Sequence, residues 1–220
     1  FEELEFAAIK KDEEERLTKD SKYDTVLTKS ELNNWISKIN KSKAFAIDTE
    51  TDSVETVSAK LLGISLSVKE NEGCYIPIGH DYDDCPKQLS INHIIKTLGP
   101  VIEENQEKVV GQNLKFDIPI LMRHGIKITR FLADTMLMSY VLNSTATRHG
   151  MDRLASYYLN YTTTKYTDVT GTASKQINFS EVKLDIATNY AAEDADITLR
   201  LFNTLSTCLL YTSDAADDLL

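Results

Sequence analysis

The amino-acid sequence predicts an α/β fold in which a mixed sheet is flanked by helices. Three strand patterns come early in the chain, a helix and a fourth strand follow, and the pattern after residue 134 is helical. A chain of 220 residues is long enough for a self-sufficient core, because it can bury about 70% of its unfolded surface. We therefore expect one main domain over residues 20–207.

Hydrophobic periodicity and turn signals predict the elements of the first half. Ser30 is the expected cap of the first helix, with Glu31 in its first turn. A turn at residues 71–73 separates two of the strands. In chain order, the sequence predicts a helix over 32–39, strands over 44–49, 62–68 and 74–78, a helix over 91–98, a strand over 108–111 and a helix that ends near Gly125.

The second half is predicted to be helical, with polar connections. Asp134 is the expected N-cap of the first of these helices. The sequence predicts helices over 136–142, 151–159 and 183–205, with a Thr-rich loop over 160–177 before the last of them.

The composition restricts the classes of protein that the chain can belong to. A net charge of −10, from 24 basic and 34 acidic residues, argues at first against a protein that holds nucleic acid by its phosphates. Three cysteines, Cys74, Cys85 and Cys208, cannot form a disulfide framework and suit a reducing compartment. The apolar runs are too short for a transmembrane helix, and the sequence shows no signal peptide, so no membrane association is expected.

Both ends of the chain differ in composition from its centre. Residues 1–16 hold seven acids against three basic residues, so residues 1–19 are expected to be the end of an upstream region and an acidic linker. The segment 208–218 resembles a translated sequencing-library adapter, and we expect residues 208–220 to be an artefact; a frayed, acidic helix end is the alternative. Without residues 1–16 and this segment, the net charge is only −3 over residues 17–207.

The first candidate site is Asp48-Thr-Glu50, at the end of an apolar strand. Residues two apart on a strand share a face, so both carboxylates point into one space. They repel each other unless a cation joins them or one of them keeps its proton. Ordinary surface acids at a strand-to-turn transition, with Asp52 nearby, are the alternative interpretation.

Two further segments place acids at unusual positions. Asn113-Leu-Lys-Phe-Asp117 begins a helix, where its polar residues could be helix caps or site residues. Asp194 falls on the apolar stripe of the last helix, four residues after Tyr190, and a charge on a buried face is costly unless it is paired. Glu193 and Asp196 lie off this stripe and are expected to face solvent.

These carboxylates could form one pocket of four acids. Oxygen-rich sites of this kind suit Mg²⁺ or Mn²⁺, which also bind the phosphates of substrates. Two such ions can activate a water and stabilise the leaving oxygen of a phosphodiester. The acidity of the chain is therefore compatible with an enzyme that acts on nucleic acid.

Four ordered blocks resemble the motifs of the DEDD 3′–5′ exonucleases, and residues 20–207 resemble the proofreading domains of bacterial family A polymerases, the DNA polymerase I family. The resemblance implies a ribonuclease-H-like fold and hydrolysis of the 3′-terminal phosphodiester of single-stranded DNA with two divalent ions, Mg²⁺ or Mn²⁺. An RNA-directed exonuclease of the same superfamily and an inactive scaffold domain are the alternatives. The blocks are Phe45-Ala-Ile-Asp-Thr-Glu-Thr-Asp-Ser53, Val110-Gly-Gln-Asn-Leu-Lys-Phe-Asp117, Asp134-Thr-Met-Leu137 and Tyr190-Ala-Ala-Glu-Asp-Ala-Asp196.

The same resemblance implies roles for individual residues. Tyr190 stands at the position of the water-orienting tyrosine that defines the tyrosine subclass, and Tyr166 either stacks on a base or packs on the domain. The implied partners are a single-stranded DNA 3′ end and a polymerase domain of the same parent chain, and the implied state is a monomer in the bacterial cytoplasm, associated with the nucleoid. The implied metal ligands are Asp48, Glu50, Asp117 and Asp194, and the implied substrate contacts are Thr51, Val54, Asn113, Arg148 and Tyr166.

Overall fold

The computed structural model describes residues 21–145 and 148–217, with side chains up to residue 210. The expected linker over residues 1–19 lies outside the described residues. The described strands are β1 (Lys22–Thr25), β2 (Phe45–Thr51), β3 (Leu61–Lys69), β4 (Glu72–Pro77), β5 (Val109–Gly111) and β6 (Ala133–Asp134). The described α-helices are α1 (Lys29–Lys41), α2 (Ile91–Glu104), α3 (Leu114–Arg123), α4 (Thr135–Leu142), α5 (Met151–Tyr158), α6 (Tyr166–Thr170) and α7 (Leu184–Asp217).

The strands form one mixed sheet in the order β1-β4-β3-β2-β5-β6. Strands β2, β3 and β4 pair antiparallel, whereas β1 with β4, β5 with β2, and β6 with β5 pair parallel. Strand β2 is thus an inner strand, with β3 on one side and β5 on the other. The predicted α/β class, a mixed sheet flanked by helices, is confirmed.

Alternation along β2 sends its side chains to two different layers. Phe45 and Ile47 pack into the large core with α1, α2 and α3. Ala46 packs on the opposite face against Ala195 and Leu199 of α7. The same alternation places Asp48 on the α7 side of the sheet and Thr49 on the α3 side.

Helix α7 approaches the sheet closely because small residues line the contact. Ala187 and Ala191 are buried against Tyr75 of β4. A Cβ atom on Gly73 would lie only 2.8 Å from the carbonyl oxygen of Ala192, so glycine is required where this helix crosses β4. This close contact holds α7 at a fixed depth over the strands. None of the helices in the described part of the chain is long and apolar enough to cross a membrane.

Some local features differ from the sequence-based expectation. Helix α1 begins at Lys29 because the Thr28 side chain accepts the amide of Glu31, whose carboxylate accepts the amide of Thr28 in return. Ser30 therefore lies inside the helix, and the prediction that it is the cap was wrong. The sequence does not predict β1 and β6, which have only four and two residues and are too short for a readable alternation.

Asp134 links two helices through one buried carboxylate. Its Oδ1 accepts the amides of Met136 and Leu137 at the start of α4, which confirms the predicted cap. The same carboxylate accepts the amides of Asn113 and Leu114 at the start of α3. Asp134 therefore fixes α3 relative to the edge strand β6.

Replacing Asp134 should destabilise the domain more than removal of an ordinary cap. Asp134→Ala leaves the amides of two helix starts without their acceptor, so we expect a loss of about 2–3 kcal/mol in the free energy of unfolding. Ser90→Ala, which removes one exposed cap bond to the amide of His93, should cost about 1 kcal/mol. Urea unfolding measures both, and equal losses would contradict a double role for Asp134.

Candidate active site

Three carboxylates meet between the carboxyl end of β2 and the middle of α7. Asp48 and Glu50 come from the same face of β2, as the two-residue spacing predicts, and Asp194 comes from α7. One oxygen of each of the three lies within 4.8 Å of the others. Glu50 is buried, and the other two are half-buried. The structure thus brings together three of the four predicted acids.

The pKa values of this cluster follow from burial and from the shared negative charge. Burial, followed by the charges of Asp117 and Glu50, raises the pKa of Asp48 well above its usual range. Burial and the Asp117 charge raise the pKa of Glu50 to about 8. Burial and Glu50 also raise the pKa of Asp194 strongly, while a hydrogen bond with Tyr190 opposes that rise. Three carboxylates in this space are therefore costly to ionise together.

Asp117 lies beside the three-carboxylate cluster rather than within it. Its Oδ1 accepts the amide of Thr49 at 3.0 Å and the hydroxyl of Thr49 at 2.6 Å. Burial raises the pKa of Asp117 to about 7, although these bonds to Thr49 lower it. The alternation of β2 explains the arrangement, since Thr49 points to the layer of α3 and Asp117 is buried in the first turn of that helix.

Tyr190 lies one helical turn before Asp194, so its hydroxyl shares the face of α7 that carries the cluster. Burial and the charges of Asp194, Glu50 and Asp48 raise the pKa of the Tyr190 hydroxyl far above its usual value. The phenol therefore stays protonated at neutral pH. It provides a neutral hydroxyl beside the three acids.

Tyr166 begins α6 and places its ring against two aromatic neighbours. The ring stacks on Phe179 with a centroid distance of 6.1 Å and meets the Tyr190 ring edge-on at 6.2 Å. Tyr166 has 41% of its surface exposed. Burial and then the charge of Glu50 raise the pKa of its hydroxyl. Tyr166 thus packs on the domain and also presents part of its ring to solvent close to the cluster.

The other predicted contacts lie on segments that surround the cluster. Thr51 ends β2 and donates to the carbonyl of Ser53, and Val54 follows with 84% of its surface exposed. Asn113 adopts the left-handed region at φ 67° before α3, and its side-chain oxygen is buried without a hydrogen-bond partner among the described residues. Arg148 is exposed in the segment before α5.

Two acids that were expected to face solvent are buried. Glu193 accepts the hydroxyl of Tyr161 and the amide of Thr164. Asp196 accepts the hydroxyl of Tyr23 and the amide of Asn71. The prediction that these two acids face solvent was wrong, because loops and strands distant in sequence cover this side of α7. The apolar stripe of the helix does not show that cover.

Comparison with known proteins identifies the family. A family model described as 3′-5′ exonuclease, of the DNA polymerase A type, matches residues 23–209. The chain belongs to this 3′-5′ exonuclease family. Relatives include DNA polymerase I of Pseudomonas aeruginosa, which is 42% identical over 185 residues, and DNA polymerase I of Borreliella burgdorferi, which is 42% identical over 189 residues. These alignments cover 83% and 84% of the exonuclease chain and about a fifth, 20%, of each relative.

Solved structures support the fold of the exonuclease domain. The catalytic core of RRP6 from Trypanosoma brucei matches with a TM-score of 0.63 at 14% identity, over 88% of this chain and 48% of that chain. The POL domain of Pol1 from M. smegmatis matches with a TM-score of 0.62 at 15% identity, over 86% and 28%. Brucella melitensis NrnC matches with a TM-score of 0.57 at 18% identity, over 87% and 81%. The expected ribonuclease-H-like fold is confirmed.

The donor set of the exonuclease domain fits a hard divalent cation. All three clustered donors are carboxylates, which are the ligands that Mg²⁺ and Mn²⁺ prefer. The raised pKa values of Asp48, Glu50 and Asp194 show that the cluster lacks positive charge of its own. A cation placed between the three oxygens would remove their mutual repulsion.

The stability of the exonuclease domain should depend on pH when divalent ions are removed. Glu50 and Asp117 hold protons up to about pH 8 and about pH 7 in the folded state, whereas unfolded carboxyls lose theirs near pH 4. The folded state therefore binds more protons across this window, and the free energy of unfolding should fall as pH rises from about 5 to 8. Urea unfolding in EDTA measures this slope.

Matched variants assign that slope to the site. Glu50→Gln should flatten it, whereas Glu103→Gln, which alters a half-buried acid bonded to the amide of Lys127, should leave it unchanged. Mg²⁺ at 100 times its Kd should add about 2.7 kcal/mol at pH 8. A free energy of unfolding that is constant with pH in EDTA would contradict the raised pKa values.

Proposed function

We propose that this exonuclease domain hydrolyses the 3′-terminal phosphodiester of single-stranded DNA and releases nucleoside monophosphates, with two divalent ions, Mg²⁺ or Mn²⁺, as cofactors. The observation that carries the proposal is the meeting of Asp48, Glu50 and Asp194 within 4.8 Å, with the Tyr190 hydroxyl beside them. An inactive scaffold would have no need to keep three acids in so costly an arrangement.

The carboxylates divide the work of holding the ions. Asp48, Glu50 and Asp194 would hold one ion, and Asp117 would contribute to the second from its place beside Thr49. When bound, the ions lower the pKa of a water and stabilise the developing charge on the leaving oxygen. Strand β2 carries Asp48 and Glu50 and helix α7 carries Asp194, so packed secondary structure positions these acids.

Tyr190 orients the attacking water. Its hydroxyl stays protonated and lies beside Asp194, so it can hold a water by hydrogen bonding without carrying charge. The water oxygen forms a bond to the terminal phosphorus and gives up one proton, and the bond from phosphorus to the preceding 3′ oxygen breaks. That oxygen takes up a proton, so the products are a nucleoside 5′-monophosphate and a strand shortened by one nucleotide.

The proposed substrate contacts surround this centre. Thr51 follows directly on Glu50, exposed Val54 comes three residues later, and Asn113 lies immediately before α3, whose first turn carries Asp117. Arg148 supplies positive charge for a phosphate from an exposed position. The exposed part of the Tyr166 ring can stack on a base, whatever the base identity.

The wider setting of the domain is also a proposal. We assign the exonuclease to residues 20–207, the upstream end and linker to residues 1–19, and an adapter artefact to residues 208–220. The DNA polymerase I relatives support a parent chain with a polymerase domain. We further propose that this parent acts as a monomer in the bacterial cytoplasm, associated with the nucleoid. The same relatives are DNA polymerases by name, which supports DNA rather than RNA as the substrate.

A labelled single-stranded DNA oligonucleotide tests the activity. With Mg²⁺ we expect shortening from the 3′ end, and Asp48→Ala/Glu50→Ala should reduce the rate by more than about 100-fold because the ion then loses two of its ligands. Asp83→Ala, which changes an exposed acid outside the site, is the matched control and should keep full activity. No shortening by the folded protein with Mg²⁺ or Mn²⁺ would favour the inactive scaffold.

Tyr190→Phe separates metal binding from water orientation. The variant keeps the ring between Tyr166 and Phe179 and removes only the hydroxyl next to Asp194, so we expect about a 10- to 100-fold lower kcat. The Mg²⁺ dependence of stability should stay as in the unmodified domain. An unchanged kcat would contradict the role of the hydroxyl, and faster shortening of an RNA oligonucleotide than of DNA would favour the RNA-directed alternative.

A further inference from the structure

Glu193 lies next to Asp194 on α7 but points to a different part of the fold. It is buried, with 7% of its surface exposed. Its Oε1 accepts the hydroxyl of Tyr161 at 2.6 Å, and its Oε2 accepts the backbone amide of Thr164 at 2.7 Å. Both oxygens of a buried carboxylate are thus used to hold one segment, residues 161–164, on α7.

The same segment is held at two more points. The hydroxyl of Thr163 donates to Asp152 of α5 at 2.9 Å. The guanidinium of Arg200 lies 5.0 Å from the centre of the Tyr161 ring. The same guanidinium also forms an ion pair with Asp196. These contacts place the segment between α5 and α7, and Glu193 accepts its hydrogen bonds on the α7 side.

The held segment leads directly into Tyr166. Thr164 is two residues before Tyr166, and Lys165 between them is the N-cap of α6, whose amide donates to Asp168. Helix α6 has five residues, too few to be stable without support from the residues around it. The position of the Tyr166 ring therefore depends on where residues 161–164 are anchored.

We propose that Glu193 is a positioning residue for nucleotide binding: it anchors residues 161–164 so that the Tyr166 ring stands at the edge of the carboxylate cluster, where the base of the 3′-terminal nucleotide stacks on it. This inference rests on the proposed exonuclease function. It assigns to Glu193 a task that is separate from the chemistry of its neighbour Asp194. The rings of Tyr190 and Phe179 contact the Tyr166 ring, and the three rings together form an aromatic platform for the base.

Glu193→Gln tests the anchor with little change in size. An amide side chain can accept the Tyr161 hydroxyl, but its NH₂ group cannot accept the amide of Thr164, so one of the two bonds is lost. At saturating Mg²⁺ we expect the KM for a single-stranded DNA oligonucleotide to rise about 3- to 10-fold, with kcat changed by less than about 2-fold. Glu103→Gln, which weakens a similar bond to the amide of Lys127 far along the chain, is the control and should leave KM unchanged.

A double-mutant cycle with Tyr166→Ala distinguishes positioning from a general structural effect. Tyr166→Ala should raise KM by at least about 5-fold through lost stacking. If Glu193 acts through Tyr166, Glu193→Gln should add no further increase in KM in the Tyr166→Ala background. Full additivity of the two effects, or a fall in kcat that more Mg²⁺ reverses, would overturn the proposal, since the latter places the effect on Asp194.

Tyr161→Phe provides a second route if Glu193→Gln does not fold. It removes only the hydroxyl that donates to Glu193 and keeps the ring beside Arg200, so a rise in KM of about 2- to 5-fold is expected. An unchanged KM in whichever of the two variants folds would overturn the proposal, whereas an unmodified domain that shortens no oligonucleotide would instead overturn the proposed function. The two failures are therefore distinguishable.

Discussion

The mutual repulsion of Asp48, Glu50 and Asp194 is the constraint around which the domain is built. Left to themselves, three acids in one half-buried space would move apart or take up protons. The fold prevents the first outcome because two of them stand on an inner strand and the third on a helix seated on small residues. What remains is a site whose electrostatic cost a bound divalent cation would relieve.

The other buried acids are handled in a different way. Asp134, Asp117, Glu193 and Asp196 each accept hydrogen bonds from backbone amides or hydroxyls, so each is paired with donors from the chain itself. Each of them joins elements that are distant in sequence. The domain thus uses carboxylates in two settings: three of them crowd together in the candidate cation site, and others hold the surrounding segments in place through hydrogen bonds.

Sequence reasoning reached the parts of the site that follow from local periodicity. The two-residue spacing of Asp48 and Glu50 and the four-residue spacing of Tyr190 and Asp194 each fix a shared face, and the structure agrees. It could not predict that Asp117 accepts hydrogen bonds from Thr49 and lies beside the three-carboxylate cluster, because that position depends on which face of the sheet α3 covers. It also missed Phe179, which has no neighbouring signal in the sequence and becomes part of the platform only through packing.

The error over Glu193 and Asp196 has the same physical origin and explains why the net charge of −10 is a poor guide to function. A helical stripe shows which side of α7 meets the sheet, but not that residues 161–164 and the Asn71 turn cover its flanks. Acids on those flanks look like solvated charges although they act inside the fold as hydrogen-bond acceptors. Because these two acids accept hydrogen bonds inside the fold, the net charge of the chain does not describe the charge that its surface presents to a nucleic acid.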